Sequence, residues 1–136
     1  MLSIDKFTVG MTTQIERAFS AQDVELFAKL SGDCNPIHLD EAYAKTTAFG
    51  QRIVHGALAS SIFSNIFGNI LPGPGCIYLK SNLVFLKPIY LDAKIEYKVE
   101  ITEIIKEKSR IILKTSAHAD GKEFISGTAE IYIPKA

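Results

Sequence analysis

Gly56 to Phe67 reads GALASSIFSNIF, and beyond it Ile77, Lys94, Arg110 and Lys122 each open a stretch of alternating apolar and polar residues. Small and large apolar residues fill most positions of the first segment. A helix built from it has little polar surface, and such a helix is usually buried. At ~1.5 Å per residue, its 12 residues would span roughly 18 Å, about the width a curved sheet can wrap. Gly68 and Asn69 are expected to end it.

The run Pro72-Gly73-Pro74-Gly75 separates this helix from four segments with the strand period of two: Ile77 to Leu86, Lys94 to Ile104, Arg110 to His118 and Lys122 to Ile133. Asp120-Gly121 between the last two is a hairpin signal, and links this short join antiparallel neighbours. The reading is a helix followed by an antiparallel meander. Upstream, Met11 to Arg17 suits a fifth strand. Ser20 and Asp23 resemble an acidic capping box, opening a helix with Val24, Phe27 and Ala28 on one stripe that ends near Leu30, before Gly32. The expected fold class is α+β. One domain over residues 1–136 carries an antiparallel sheet of about five strands wrapped round a central buried helix.

Composition narrows the function. Fifteen basic and 15 acidic residues cancel, so no overall field draws the chain to nucleic acid or an anionic membrane. Hydrophobic residues make up 47% and charged residues 22%, which supports a packed core. Met1 to Gly10 has no apolar run, so it reads as neither a secretory signal nor a membrane span. The cytoplasm is the default compartment. Cys34 and Cys76 are too few and too far apart for a disulfide framework or a zinc set.

The polar chemistry gathers in SGDCNPIHLD, Ser31 to Asp40, and at His55-Gly56. Turn formers dominate the first stretch, and Pro36 pushes Asn35 away from helical dihedrals, so an irregular but ordered loop is expected there. Asp40 then caps a short helix through Lys45. Five positions separate Asp33 from His38, close enough for a carboxylate and an imidazole to converge on one water. Such a pair can act as base and acid in either direction of a reversible reaction. Gly56 opens the buried helix, where a backbone N–H suits a developing oxyanion. Packing against the sheet is an equal reason for a glycine there. Ser64 lies about two turns further on and is a candidate for positioning water or substrate, with bonding back to its own helix as the alternative. A metal held by Asp33, His38, Asp40 and His55 is conceivable, but the expected site has no metal and no cofactor. His118 is expected to be exposed on its strand, and Ile62, Phe63, Ile66 and Phe67 to serve the core before any acyl pocket.

The stretch LSGDCNPIHLDEAYAKTTAFGQRIVHG, Leu30 to Gly56, is similar to the signature of the MaoC-like, (R)-specific enoyl-CoA hydratases, built on D-x-N-P-x-H followed by F-G and I-V-H-G. The resemblance spans nearly the whole chain. It implies a hot-dog fold and reversible addition of water to a trans-2-enoyl thioester. It also implies a homodimer whose sheets join edge to edge, with substrate tunnels near the interface. The family's catalytic aspartate and histidine fall on Asp33 and His38 and its oxyanion-hole amide on Gly56. Its water-assisting serine matches Ser64, and Asn35 is a structural or polar member of the motif. Ala57 stands where many members are bulkier.

The signature does not separate a CoA thioester from an acyl-carrier-protein thioester. Lys80, Lys87, Lys106, Lys108 and Arg110 could meet either CoA phosphates or an acidic carrier, although a solvated face is the more ordinary explanation. A hot-dog thioesterase is disfavoured because Gly56 to Phe67 contains no Asp or Glu. A non-catalytic acyl-thioester binding module is disfavoured by the presence of both Asp33 and His38.

Overall fold

The computed structural model describes residues 2–135, so Met1 and Ala136, the ends of the domain expected over 1–136, lie outside it. Strand β1 (Thr12–Arg17) is followed by helix α1 (Ala21–Ser31), the short helices α2 (Pro36–Leu39) and α3 (Glu41–Lys45), and the long helix α4 (Gly56–Asn69). Strands β2 (Ile77–Phe85), β3 (Ile95–Ile105), β4 (Arg110–Ala119) and β5 (Lys122–Tyr132) complete the order. They form one five-stranded sheet in the order β1-β3-β4-β5-β2, with every pairing antiparallel.

Alternation along the strands sorts the side chains by face. Ile95, Tyr97, Val99 and Ile101 of β3, and Ile111, Leu113, Thr115 and Ala117 of β4, point inward and are buried. Helix α4 lays Ala59, Ile62, Phe63, Ile66 and Phe67 against them. The Phe63 ring meets Tyr97 edge-on at 5.4 Å, and Phe67 meets Tyr78 at 4.9 Å, geometries that aromatic quadrupoles favour. The Tyr97 hydroxyl is buried without a hydrogen-bond partner among the described residues, and burial pushes its pKa well above the ordinary tyrosine range. Register shifts at Tyr78/Lys80, Ile101/Glu103 and Ala117/His118 bend the strands. The sheet and the helix packed in it make the hot-dog arrangement expected from the sequence.

Local signals read as expected at several points. Ser20 and Asp23 form a reciprocal capping box, and Gly32 ends α1 in the left-handed region at φ 83°. Asp120 and Gly121, at φ 52° and 74°, make the hairpin between β4 and β5.

Three elements differ. The Ser31–Asp40 stretch is not irregular throughout, because Pro36 at the first helical position and the Asn35 side chain as cap start α2. Helix α4 runs through Gly68 to Asn69, since a single exposed glycine weakens a helix without breaking it. Pro72, two residues beyond the Ile70 cap, prevents continuation. Finally, β2 does not neighbour β3 as in a simple meander but pairs with β5 at the far edge. The segment 86–94 is long enough to cross the end of the sheet, and it is held there by Val54 N–H to Ile89 O (2.8 Å) and Asp92 N–H to Phe19 O (2.7 Å).

Gly127 of β5 lies opposite Leu83 of β2. A Cβ there would overlap the Asn82 carbonyl oxygen and approach a Leu83 methyl to 2.9 Å. Gly127→Ala is therefore expected to part the two strands and destabilise the fold by about 1–3 kcal/mol. An unchanged urea midpoint would contradict that account of the β2–β5 contact.

Candidate active site

Asp33 follows directly on Gly32, so the end of α1 sets where its side chain starts. Ser31 Oγ accepts the Asp33 N–H (3.1 Å), and Asp33 Oδ1 accepts the Asn35 N–H (3.1 Å), a turn that fixes one carboxylate oxygen. Asn35 Oδ1 in turn accepts the Ile37 N–H (3.2 Å) and caps α2, the helix that carries His38. Asn35 is thus a structural member of the motif, placing His38 through the backbone.

His38 is buried, and its Nδ1 lies 2.7 Å from the Ile53 carbonyl oxygen. A carbonyl only accepts, so Nδ1 carries the proton and the neutral ring leaves a lone pair on Nε2. Two more bonds hold the same short helix: Arg52 Nε–H donates to His38 O (2.7 Å) and Ile53 N–H to Ile37 O (3.2 Å).

His55 is 1% exposed, and its Nε2–H donates to the Asp33 carbonyl (3.0 Å). Its ring stacks on His38, with centroids 3.9 Å apart and planes 28° apart, and touches Phe27 at 4.8 Å. Burial holds its pKa below 6.5; the bond to the Asp33 carbonyl opposes this, a positive charge on His38 would add to it, and the Asp33 carboxylate opposes it. The ligating atoms of Asp33, His38 and His55 lie within 4.8 Å of one another. Among the described residues, these three, without Asp40, are the set that could hold a metal. Two stacked imidazoles do not aim their in-plane lone pairs at one point, so a shared ion would require the rings to turn. Asp40 instead caps α3 through the Tyr43 N–H (3.1 Å).

A cleft of about 300 Å³ opens beside His38, walled by Phe49, Val54, Gly56, Phe85, Ile89 and Ile125, with Lys87 at its lining. Gly56 is the first residue of α4, where an N–H has no acceptor within the helix, and the preceding His55 side chain does not cap it. A Cβ on Gly56 would meet the Phe85 ring at 3.1 Å, so a glycine here keeps both the ring and the amide at the cleft wall. Ser64 is exposed on α4 and is not part of the cleft lining. Eight residues at about 100° each bring it round by about 80°, not onto the face of Gly56. Ile62, Phe63, Ile66 and Phe67 are core residues. Of the five basic residues noted from sequence, only Lys87 lines this cleft; Lys106 pairs with Asp5 (3.5 Å) and Arg110 with Glu130 (3.5 Å). His118 is partly exposed and lies 3.4 Å from Glu96.

Sequence reading missed the His38–His55 stack, the Arg52 clamp and the walls from Phe49, Phe85, Ile89 and Ile125. Phe85 and Ile125 face each other across the β2–β5 pair, a contact that depends on strand order and leaves no local signal.

A family model described as MaoC like domain matches residues 7–122. The chain is 38% identical over 134 residues to an (R)-specific enoyl-CoA hydratase of Aeromonas caviae, covering 98% of this chain and 100% of that protein. It is 36% identical over 135 residues to a 3-hydroxybutyryl-CoA dehydratase of Methylorubrum extorquens, covering 99% and 86%. The unliganded R-hydratase PhaJ1 from Pseudomonas aeruginosa superposes with a TM-score of 0.92 at 37% identity, over 99% of this chain and 87% of that one.

A buried histidine with a depressed pKa makes stability depend on pH. Below 6.5 the unfolded chain binds a proton at His55 that the folded chain refuses. Stability from this group should therefore be intact above that pH and fall as pH drops toward the lower, folded-state value. Urea titrations between pH 7 and pH 5 should show a shallower loss in His55→Gln than in the wild type; equal slopes would mean that His55 is not the group responsible.

Proposed function

The chain belongs to the MaoC-like domain family, and from that premise we propose that it adds water reversibly to trans-2-enoyl-CoA, giving (R)-3-hydroxyacyl-CoA. The observation that carries this reading is the meeting of Asp33 and His38, two groups able to accept a proton, beside the amide end of a buried helix.

With Nδ1 committed to Ile53 O, Nε2 is the His38 nitrogen left to accept a proton. Asp33 offers the carboxylate oxygen that the Asn35 N–H does not fix. A water between them donates to both and loses one proton as its oxygen bonds to the β-carbon. The electron pair of the double bond moves to the thioester oxygen, where the Gly56 N–H at the start of α4 donates to the negative charge. The proton returns to the α-carbon from the same face, so the hydroxyl and the proton from water add syn and the pair ends as it began. Neither Asp33 nor Ser64 lines the cleft itself; Asp33 is given a step because its carboxylate lies within 4.8 Å of a His38 ring nitrogen, and Ser64 is given none.

Lys87 is the cationic group proposed to meet the CoA phosphates, since it lies where the cleft opens and is exposed. An acyl-carrier-protein thioester is the competing substrate. The cytoplasm is the compartment proposed, in keeping with the two unpaired cysteines; no helix of the described residues is long and apolar enough to cross a membrane.

We also propose that β2 joins its copy in a homodimer. It is an edge strand with Ile77, Tyr78, Leu79, Val84 and Phe85 exposed, an arrangement that invites strand pairing if left open. Light scattering is expected to give twice the 15.0 kDa chain mass, and a monomer at micromolar concentration would rule the dimer out.

Crotonyl-CoA should lose its conjugated absorbance and yield the (R)-3-hydroxy product. Asp33→Asn and His38→Ala should each lower turnover by at least ~10²-fold. Wild-type rates in either variant would remove that residue from the mechanism, and faster turnover of the carrier-protein thioester would replace CoA as the substrate.

A further inference from the structure

Asp33 and His38 sit on different elements, the turn after α1 and the helix α2. The structure gives no direct hydrogen bond between their side chains, so their spacing must be set by a third group. Backbone bonds hold His38 through Ile53 and Arg52. Asp33 lies on an exposed turn, where Ser31 and Asn35 bond only locally. One buried side chain spans both: His55 donates through Nε2–H to the Asp33 carbonyl (3.0 Å) and lays its ring on His38 (3.9 Å).

We propose that His55 is a positioning residue, a neutral imidazole that tethers the Asp33 turn to the His38 ring so that both reacting groups reach one water. The inference rests on the hydratase reading of this site. Three features single out this residue. It precedes Gly56 at the start of α4 yet its side chain does not cap that helix, leaving the ring free for Asp33. Its Nδ1 is buried with no partner among the described residues, and the one hydrogen bond the ring makes among them goes to Asp33. Phe27 of α1 also touches the ring at 4.8 Å, so the helix that ends two residues before Asp33 contacts the tether a second time. Such a tether acts on rate more than on substrate affinity, since a displacement of about 1 Å between reacting groups can lower turnover ~10²-fold.

Two substitutions separate tether from ring. His55→Phe keeps an aromatic ring and removes the donor; His55→Gln keeps an N–H that reaches the position of Nε2. With rates expressed per folded protein, His55→Phe should lower kcat at least ~10-fold while KM moves less than ~3-fold, and His55→Gln should stay within ~3-fold of the wild type. In an Asp33→Asn background, His55→Phe should cost little more, because a group acting through Asp33 has nothing left to position. Equal losses in both backgrounds, or a folded His55→Gln variant as slow as His55→Phe, would overturn the tether.

Nitrogen-15 NMR of the imidazoles gives a reading independent of turnover, expected to show His55 neutral with its proton on Nε2. A proton on Nδ1 overturns the tether whether or not the protein hydrates enoyl-CoA. The expected tautomer without any hydration in the wild type leaves the tether standing as a contact and sinks the hydratase reading on which its catalytic purpose depends.

Discussion

The hydrogen bond from His38 Nδ1–H to the Ile53 carbonyl is the contact around which the rest of the site is arranged. Ile53 is the first of four residues, Ile53 to Gly56, in which each contributes something different. Ile53 bonds to α2 through both its N–H and its carbonyl; Val54 N–H bonds to Ile89 in the crossing segment; His55 reaches Asp33; and Gly56 begins the buried helix. A segment buried under these elements has to satisfy its backbone groups. Here it does so by gripping the pieces of chain that bear the reactive side chains. Moving the start of α4 by one residue would therefore disturb the fold and the proposed chemistry together.

Packing explains why the cleft lies at the end of α4 and not along it. Phe63, Ile66 and Phe67 are at most 1% exposed, so the middle of the helix has no room for a ligand. The cleft beside His38 opens where the side chains shrink, at Gly56 and Ala59, opposite the end of β2 and the start of the crossing segment. The walls there, Phe85 and Ile125, are paired across two strands far apart in sequence. Strand order thus determines the shape of the cleft, and the small residues at the start of α4 determine its depth.

That division also explains what was legible in the sequence. Capping at Ser20, the Asp120-Gly121 turn, the alternating strands and the Asp33-to-His38 motif are local patterns, each governed by residues within a few positions of one another. The motif even carried its own support, since Asn35 both sits inside it and caps the helix holding His38. The placement of β2 beside β5 was hidden because a nine-residue link permits several routes and its composition names none. The stack of His55 on His38 was hidden for a similar reason: 17 positions separate the two rings, and only the folded crossing of α2 over the start of α4 brings them together. Ser64 shows a limit of another kind: counting turns placed it on a face similar to that of Gly56, whereas the angle accumulated over eight residues turns it to the exposed side of α4.

In the proposed reaction, the environments of Asp33 and His38 differ in a way that suits reversibility, and the proton would move as follows. Asp33 is exposed, while His38 is buried with its tautomer fixed by a carbonyl. With both groups in their resting forms, the pair presents two acceptors and no acidic proton, the state needed to bind and deprotonate water. After that step it holds one proton, the state needed to protonate the α-carbon. Run backwards, the same proton is taken from the α-carbon and returned to the leaving hydroxide. Neither direction requires exchange with bulk solvent, provided the neighbouring His55 does not itself take up the proton. Burial lowers its pKa and its Nδ1 has no partner among the described residues, so a second imidazole can lie against the pair without competing for what the pair transfers.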